Sequence, residues 1–416
     1  MAREMKDSGI EWIGNIPVTW TLMRVKHFFN ISRGRVIPVT SLLSNGKYPV
    51  FSSQTENNGC FGYLNTFDYK GPSITWTTDG AKAGTVFFRD GKYNCTNVCG
   101  ILQLKTKFKN NSNLKFFTYA ISMVAEKNKR YDINGFKIMS NEMANIKFAY
   151  PCLKEQLLIA NLLDKKCSVI DSLTADIEKQ ISLLEDYKKS IITEAVTKGL
   201  DPNVEMKDSG IEWIGAIPSQ WKVEKIKFHL YRNDIKNPGD MEVLSLYREY
   251  GVVPKDSRDD NYNVTSLDVT KYKYVKPGNL VINKMKAWQG SLAVSEYEGI
   301  VSPAYYVYYF SDSSLVKKYF HYLVRACYKD EFRRLSGGIR EGQWDLPSEA
   351  FDNTLMIIPS MKEQKEIVSY LDKKCSEIDS LISEKKKQLE KLSSYKQSMI
   401  YEYVTGKKEV PTQEIA

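Results

Sequence analysis

The sequence predicts an α+β protein in which two mixed α/β domains are separated by two long antiparallel coiled-coil helices, the halves related by a pseudo-twofold internal repeat. Three observations predict it. A ten-residue signature, MKDSGIEWIG at 5–14, recurs unchanged at 206–215. A seven-residue spacing of apolar side chains runs through 151–199 and again through 359–406. Between signature and heptads, each half holds a long stretch of short aromatic and β-branched runs, and these two stretches show no comparable resemblance to one another. Identity of this kind marks a duplication, so the chain divides into tandem halves.

In chain order the expected segments are the signature at 1–14, a first globular domain at 15–150, a first helix at 151–200, and a linker with the second signature at 201–215. A second domain follows at 216–358, then a second helix at 359–406 and a tail at 407–416. Each signature continues into an I-P-x-x-W step, with Ile16-Pro17 and Trp20 matched by Ile217-Pro218 and Trp221. Within the domains, runs bounded by Gly, Asp and Asn turns predict strands at 73–78, 85–89, 101–104, 279–283 and 305–310. Stretches 114–127 and 315–334 read as helices.

The first long helix follows from Leu163, Ile170, Ile177, Leu184 and Ile191 at successive sevens, with Leu173, Ile181 and Tyr187 in adjacent rows. Its copy keeps Leu371, Ile378, Leu392 and Met399, flanked by Leu381, Leu389 and Tyr395, and puts Lys385 where Ile177 stood. A shift of 208 also turns Glu155-Gln156 into Glu363-Gln364 and LDKKC at 163–167 into the same five residues at 371–375. Ser360 and Glu363 can form a capping box, whereas Cys152 replaces that serine in the first copy and predicts a weaker cap. Gly199 and Gly406 supply the helix stops. Each helix should span about 45 residues, on the order of 65 Å. A one-sided stripe of that length needs a partner, and the two helices are expected to pair.

Composition limits the function. Lys and Arg outnumber Asp and Glu by 59 to 50, which permits nucleic-acid binding. No apolar run reaches membrane-spanning length and the amino terminus lacks a secretory segment, so a cytoplasmic protein is expected. The seven cysteines form no framework and are expected as reduced thiols, Cys167 and Cys375 beside the heptad seam. Cys95 and Cys99 have no neighbouring histidine to complete a zinc site, and no metal is expected. Catalytic signatures are missing: Asn237-Pro238-Gly239 lacks the aromatic of a methyltransferase element, and Gly337-Gly338 with Gly342 lacks the strand–loop–helix setting of a phosphate cradle.

The order of signature, insert and P-x-x-x-E-Q helix, given twice with an I-P-x-x-W step into each insert, resembles the specificity subunit of type I restriction-modification systems. The likeness covers essentially the whole chain. It implies that each insert is a target recognition domain for one half of a split, asymmetric double-stranded DNA site, and that the helices dock two methyltransferase subunits. Glu155, Gln156, Leu163, Ile170, Ile177, Leu184 and Ile191, with Glu363, Gln364, Leu371, Ile378 and Leu392, are the subunit-interface candidates. This chain would bind no cofactor. S-adenosylmethionine would belong to the partner subunits of an adenine-type methyltransferase, and ATP and Mg to two restriction subunits where a nuclease is present. A coiled-coil scaffold without DNA specificity is the alternative; two full-length, loop-rich inserts argue against it.

Side-chain chemistry nominates the DNA contacts, since Arg and Lys suit guanine, Asn and Gln adenine, and carboxylates cytosine. In the first insert these are Thr77, Asp79, Lys82, Arg89, Asn94 and Asn97 around the Gly80 and Gly84 turn, with Arg33, Arg35, Lys47, Arg130 and Lys137 as phosphate contacts. In the second they are Lys284, Lys286, Trp288 and Gln289 after a strand, and Arg333, Arg334, Arg340, Glu341, Gln343 and Trp344 around Gly337-Gly338.

Overall fold

A computed structural model describes residues 3–133, 135–248, 251–257, 265–266, 268–311, 314–338 and 344–411. It divides into two compact units, one of Met1–Glu178 with Lys386–Ala416 and one of Lys179–Lys385. Each unit takes one insert, one signature and a portion of both long helices.

In the first unit the signature closes a hairpin, pairing Met5–Asp7 with Asn15–Pro17. Asp7 accepts the Gly9 N–H at 3.0 Å and Ser8 the Ile10 N–H at 3.2 Å, the local turn bonds that short polar side chains favour. The second unit repeats this chemistry with Asp208 and Ser209 and the same register. That is why the DSG core recurs.

The first insert is clamped where its opening strand Thr21–Arg24 pairs with its closing strand Lys147–Tyr150. Between them lies an antiparallel sheet in the order Phe29–Arg33, Cys99–Leu104, Ser73–Thr77, Val86–Arg89. A second sheet orders Cys60–Leu64, Tyr48–Phe51, Lys92–Cys95 and Tyr69–Lys70. Helix Leu114–Asn128 packs Phe116 and Phe117 against Phe28, Phe148 and the Trp76 strand, in one core with Leu163 and Ile170 of the first long helix and Met399 and Tyr403 of the second.

The second insert follows the same plan with unrelated residues. Lys222–Lys225 pairs with Leu355–Ile358, and the main sheet orders Leu230–Arg232, Tyr305–Phe310, Leu280–Asn283, Leu292–Val294. The strand expectations hold to within a residue or two, but 315–334 is two helices, Lys317–Cys327 and Lys329–Leu335. The break falls at Tyr328, whose ring is fully buried and whose hydroxyl donates to the Leu355 carbonyl at 2.9 Å. Tertiary anchoring overrides the helical period there.

The long helices are Leu153–Lys198 and Met361–Val404, 46 and 44 residues. In the second unit Gln180 meets Lys385 and Lys188 meets Asp379, so one chain position rises as the other falls and the pair is antiparallel. In the first unit Asp171 meets Lys396 at 2.5 Å. Leu163, Ile170, Ile177, Ile191, Leu371 and Ile378 are buried, and Leu184 and Leu392 are half-buried. Leu173, Tyr187, Leu381 and Tyr395, expected in rows beside them, are 45, 56, 47 and 58% exposed. A two-helix seam is narrow and shields only the rows that face it. The capping box forms, Ser360 N–H to Glu363 at 3.0 Å and Glu363 N–H to Ser360 Oγ at 3.3 Å, while Cys152 offers only a sulfur 3.7 Å from Glu155. Gly199 and Gly406 end the helices at φ +78° and +71°, where a Cβ would be strained. No helix among the described residues is long and apolar enough to cross a membrane.

Candidate DNA interface

The duplicated polar residues of the long helices face inward. Glu155 accepts the Trp20 indole N–H at 2.9 Å and pairs with Arg3, and Glu363 accepts from Trp221 at 3.2 Å. Gln156, fully buried, accepts the Asn113 N–H at 2.9 Å and donates to the Pro151 carbonyl. Gln364 does the same with the Val316 N–H at 2.7 Å and the Pro359 carbonyl, and adds a bond to the Ser314 carbonyl. Asn113 and Val316 both cap the helix that follows. These side chains lock each insert to its long helix. Together with the buried Leu163, Ile170, Ile191, Leu371 and Ile378, Glu155, Gln156, Glu363 and Gln364 are therefore corrected from docking surface to internal frame, because each is already occupied within its own unit; Ile177 is buried as well.

A further lock escaped the sequence. Asp164 accepts from Lys115 at 2.5 Å and Tyr119 at 2.8 Å; Asp372 accepts from Lys318 at 2.7 Å and Tyr322 at 2.8 Å. The inserts thus share a K-x-x-x-Y helix face, an i, i+4 pair that only the common aspartate makes visible.

In the first insert the structure gathers several expected contacts at one end of the main sheet. Strand Ser73–Thr77 runs into loop 78–85, where Asp79 bridges Lys137 and the Thr78 N–H reaches the Val98 carbonyl. Arg33, at the end of the strand on the other side of Cys99–Leu104, donates to the Asn97 carbonyl at 2.5 Å. Exposed Lys82, Asn97, Arg33 and Arg130 thereby share an edge with half-buried Asp79 and Lys137. Arg130 pairs with Glu142 at 2.6 Å, Lys137 with Asp132 at 3.0 Å, and Arg35 with Asp68 at 2.8 Å. Lys47 lies apart, on the second sheet.

Three candidates are corrected. Thr77 is fully buried and bonded to the Lys82 carbonyl at 2.5 Å, which folds the loop back. Asn94, also fully buried, donates to the Thr66 carbonyl at 2.8 Å. Arg89 is buried, donating to Thr75 at 3.0 Å and to the Asn58 carbonyl at 2.8 Å, with its guanidinium 3.5 Å from the Phe51 ring centre. Burial draws the Arg89 pKa down to about 10, so it stays charged at neutral pH. None of the three can reach a groove. Cys95 and Cys99 sit beneath it with sulfurs 3.5 Å apart, as buried free thiols.

In the second insert Trp288 and Trp344 meet edge to face at 5.7 Å, with the Arg333 guanidinium 5.9 Å from the Trp288 ring. Lys284 pairs with Asp345 at 3.2 Å, and Gln289 accepts from Arg248 at 2.7 Å. Lys286 is exposed nearby. Arg334 turns away to a bidentate pair with Glu331. Arg340, Glu341 and Gln343 lie outside the described residues. Arg248 and Asp345 were missed; Arg248 is distant in sequence and only the Gln289 contact brings it in.

The architecture defined here is a duplicated frame of paired helices presenting two polar-edged α/β domains. The sequence profile of the type I restriction modification DNA specificity domain matches residues 17–183 and 225–391, and the chain belongs to that family. Reading DNA sequence is the role that membership gives it. Over 420 residues it is 26% identical to the MjaVIII type I restriction enzyme specificity subunit of Methanocaldococcus jannaschii, covering 94% of this chain and 93% of that one. It is 32% identical over 198 residues to the MpnII type I restriction enzyme specificity subunit of Mycoplasma pneumoniae, covering 46% of this chain and 58% of that relative. A solved chain described as "Structural basis underlying complex assembly and conformational transition of the type I R-M system" shares the fold at TM-score 0.65 and 12% identity, covering 94% of this chain and 98% of that one.

Proposed function

We propose that this chain is the non-catalytic sequence reader of a type I restriction-modification complex, each insert contacting one half of an asymmetric, bipartite duplex site. The observation that carries this is the invariant frame around divergent edges: the same Trp, Glu, Gln and Asp locks hold both inserts, while the polar groups at their edges differ. Arg33, Asp79, Lys82, Asn97, Arg130 and Lys137 act for the first half-site, with Arg35 on the adjoining backbone. Lys284, Lys286, Trp288, Gln289, Arg333, Trp344 and Arg248 act for the second.

Two methyltransferase subunits, which would carry S-adenosylmethionine, dock on the outer faces of the helices, where Val169, Leu173, Leu183, Tyr187, Leu381 and Tyr395 remain exposed. Restriction subunits would bring ATP and Mg. Methylome sequencing of a host carrying a chimaera, with residues 216–358 replaced by another family member's insert, tests the assignment. One half of the methylated motif changes and the other persists; simultaneous loss of both halves by a folded chimaera refutes it.

A further inference from the structure

The basic excess of the chain is not shared between its inserts. Residues 15–150 hold 18 Lys and Arg against 7 Asp and Glu, an excess of 11, whereas residues 216–358 hold 20 against 18, an excess of 2. In the second insert Lys273 and Arg232 share Asp234, and Lys284 pairs with Asp345.

The second sheet of the first insert concentrates unneutralised charge. Lys92 and Lys70 lie directly opposite one another on antiparallel strands, a pairing of like charges that costs stability unless an anion intervenes. Lys92 Nζ sits 4.5 Å from the Phe67 ring centre and 5.8 Å from that of Tyr48, and Lys47 Nζ sits 5.6 Å from Tyr48. Tyr48 and Phe67 pack edge to face at 5.1 Å, so they form a single support that holds two ammonium groups above it. The nearest acids are engaged elsewhere: Asp68 pairs with Arg35, and Asp90 accepts the Gly91 N–H at 2.8 Å. Among the described residues no carboxylate lies within ion-pair distance of Lys47, Lys70 or Lys92.

We propose that Lys47, Lys70 and Lys92 form a sequence-independent anchor for the phosphate backbone of duplex DNA, peculiar to the first insert. Phosphate is the fitting ligand because the site gathers ammonium groups with no carboxylate of the described residues in ion-pair reach, and an ammonium binds phosphate as a point charge. Duplex DNA is the fitting source because the strand Lys92–Cys95 leads at its far end to Asn97 on the reading edge. Five extended residues span about 16 Å, at roughly 3.3 Å each. That is about five base pairs, so a duplex read at Asn97 carries its backbone past the lysines. The anchor rests on the proposed function, and its role differs from reading: it adds affinity to every sequence alike.

Salt titration of full-length chain binding to a short random-sequence duplex tests it. For a triple variant, Lys47→Gln with Lys70→Gln and Lys92→Gln, the slope of log K against log salt becomes shallower by about 2 to 3, roughly one per lysine. Lys92→Gln alone, at an exposed position, gives about one unit, and the triple Lys→Arg variant keeps the parent slope. An unchanged slope in the folded glutamine variants, with the parent chain binding steeply, overturns the anchor and leaves the proposed function standing. Failure of the parent chain to bind duplex DNA at all sinks both. Phosphatidylserine vesicles form a parallel arm: vesicle binding that the triple variant loses, with duplex binding unaltered, overturns the anchor in favour of a lipid site.

Discussion

The two units solve one mechanical problem identically and one chemical problem differently. Each must fasten an insert to a long helix, and each does so with a tryptophan bonded to a glutamate, a buried glutamine capping the insert helix, and a lysine–tyrosine pair on an aspartate. What lies beyond those locks diverges. The first insert buries an arginine over aromatic rings and carries an excess of 11 cations over anions; the second nearly balances its charges, with an excess of 2, and builds a tryptophan pair beside Arg333 and Gln289. The lesson is that the frame constrains only residues that touch it, so specificity can drift without loss of fold.

The largest test of that comparison strikes the locks. Gln364→Ala leaves the Val316 N–H and two carbonyls without their partner, whereas Gln156→Ala strands fewer groups. At roughly 1 to 3 kcal/mol for each unsatisfied buried group, the second unit should lose about 4 kcal/mol and the first about 3. Denaturant unfolding of the two variants measures both, and a larger loss from Gln156→Ala would mean that bond count does not rank the locks.

Arg89→Met comes next. It removes two hydrogen bonds and a guanidinium stacked between Phe51 and Phe87, for an expected loss of about 2 to 4 kcal/mol in the first unit. The methylated motif should stay the same in whatever protein folds. A motif altered at a single base would return Arg89 to the reading surface.

A pH test separates the units. His321 on the second insert helix has its pKa drawn down to about 4, chiefly by burial and then by Arg325 and Lys318, with its Nδ1 accepting the Val294 N–H. Thr118 holds the corresponding place in the first, two residues after Phe116 as His321 is two after Tyr319. Between pH 6.5 and 4 the unfolded chain takes up a proton that the native chain refuses, so stability is complete above pH 6.5 and falls as pH drops toward 4. The loss should reach at most about 3 kcal/mol, at 1.36 kcal/mol per pH unit. His321→Thr should flatten the acid limb of the second unit's unfolding profile and leave the first untouched.

The smallest effect concerns the caps. Ser360→Ala should cost about 1 kcal/mol, and Cys152→Ser should gain up to about as much by completing a box whose glutamate is already present. Thermal melts would show opposite shifts.

Most of the frame was legible in the sequence because its causes are local or periodic. The DSG turns, the Ser360 box, the terminal glycines and the heptad rows act within a few residues, and two near-identical copies mark which positions matter. The candidate interface was legible in part. Arg33, Asp79, Lys82, Asn97 and Lys137 do converge, since loops that follow strands of one sheet end at one edge.

Only the tertiary structure decided the remainder. A polar side chain's type does not reveal whether it faces solvent, and Thr77, Arg89 and Asn94 look like readers until the packing around their strands buries them. Nor does it reveal neighbours supplied by remote strands: Lys70 and Lys92, Arg248 and Gln289, Lys115 and Asp164 meet because of sheet order and helix docking. The common plan of two inserts with unrelated sequences belongs here as well. A core asks for apolar volume at alternating positions, which many sequences satisfy, so topology persisted after residue identity had gone.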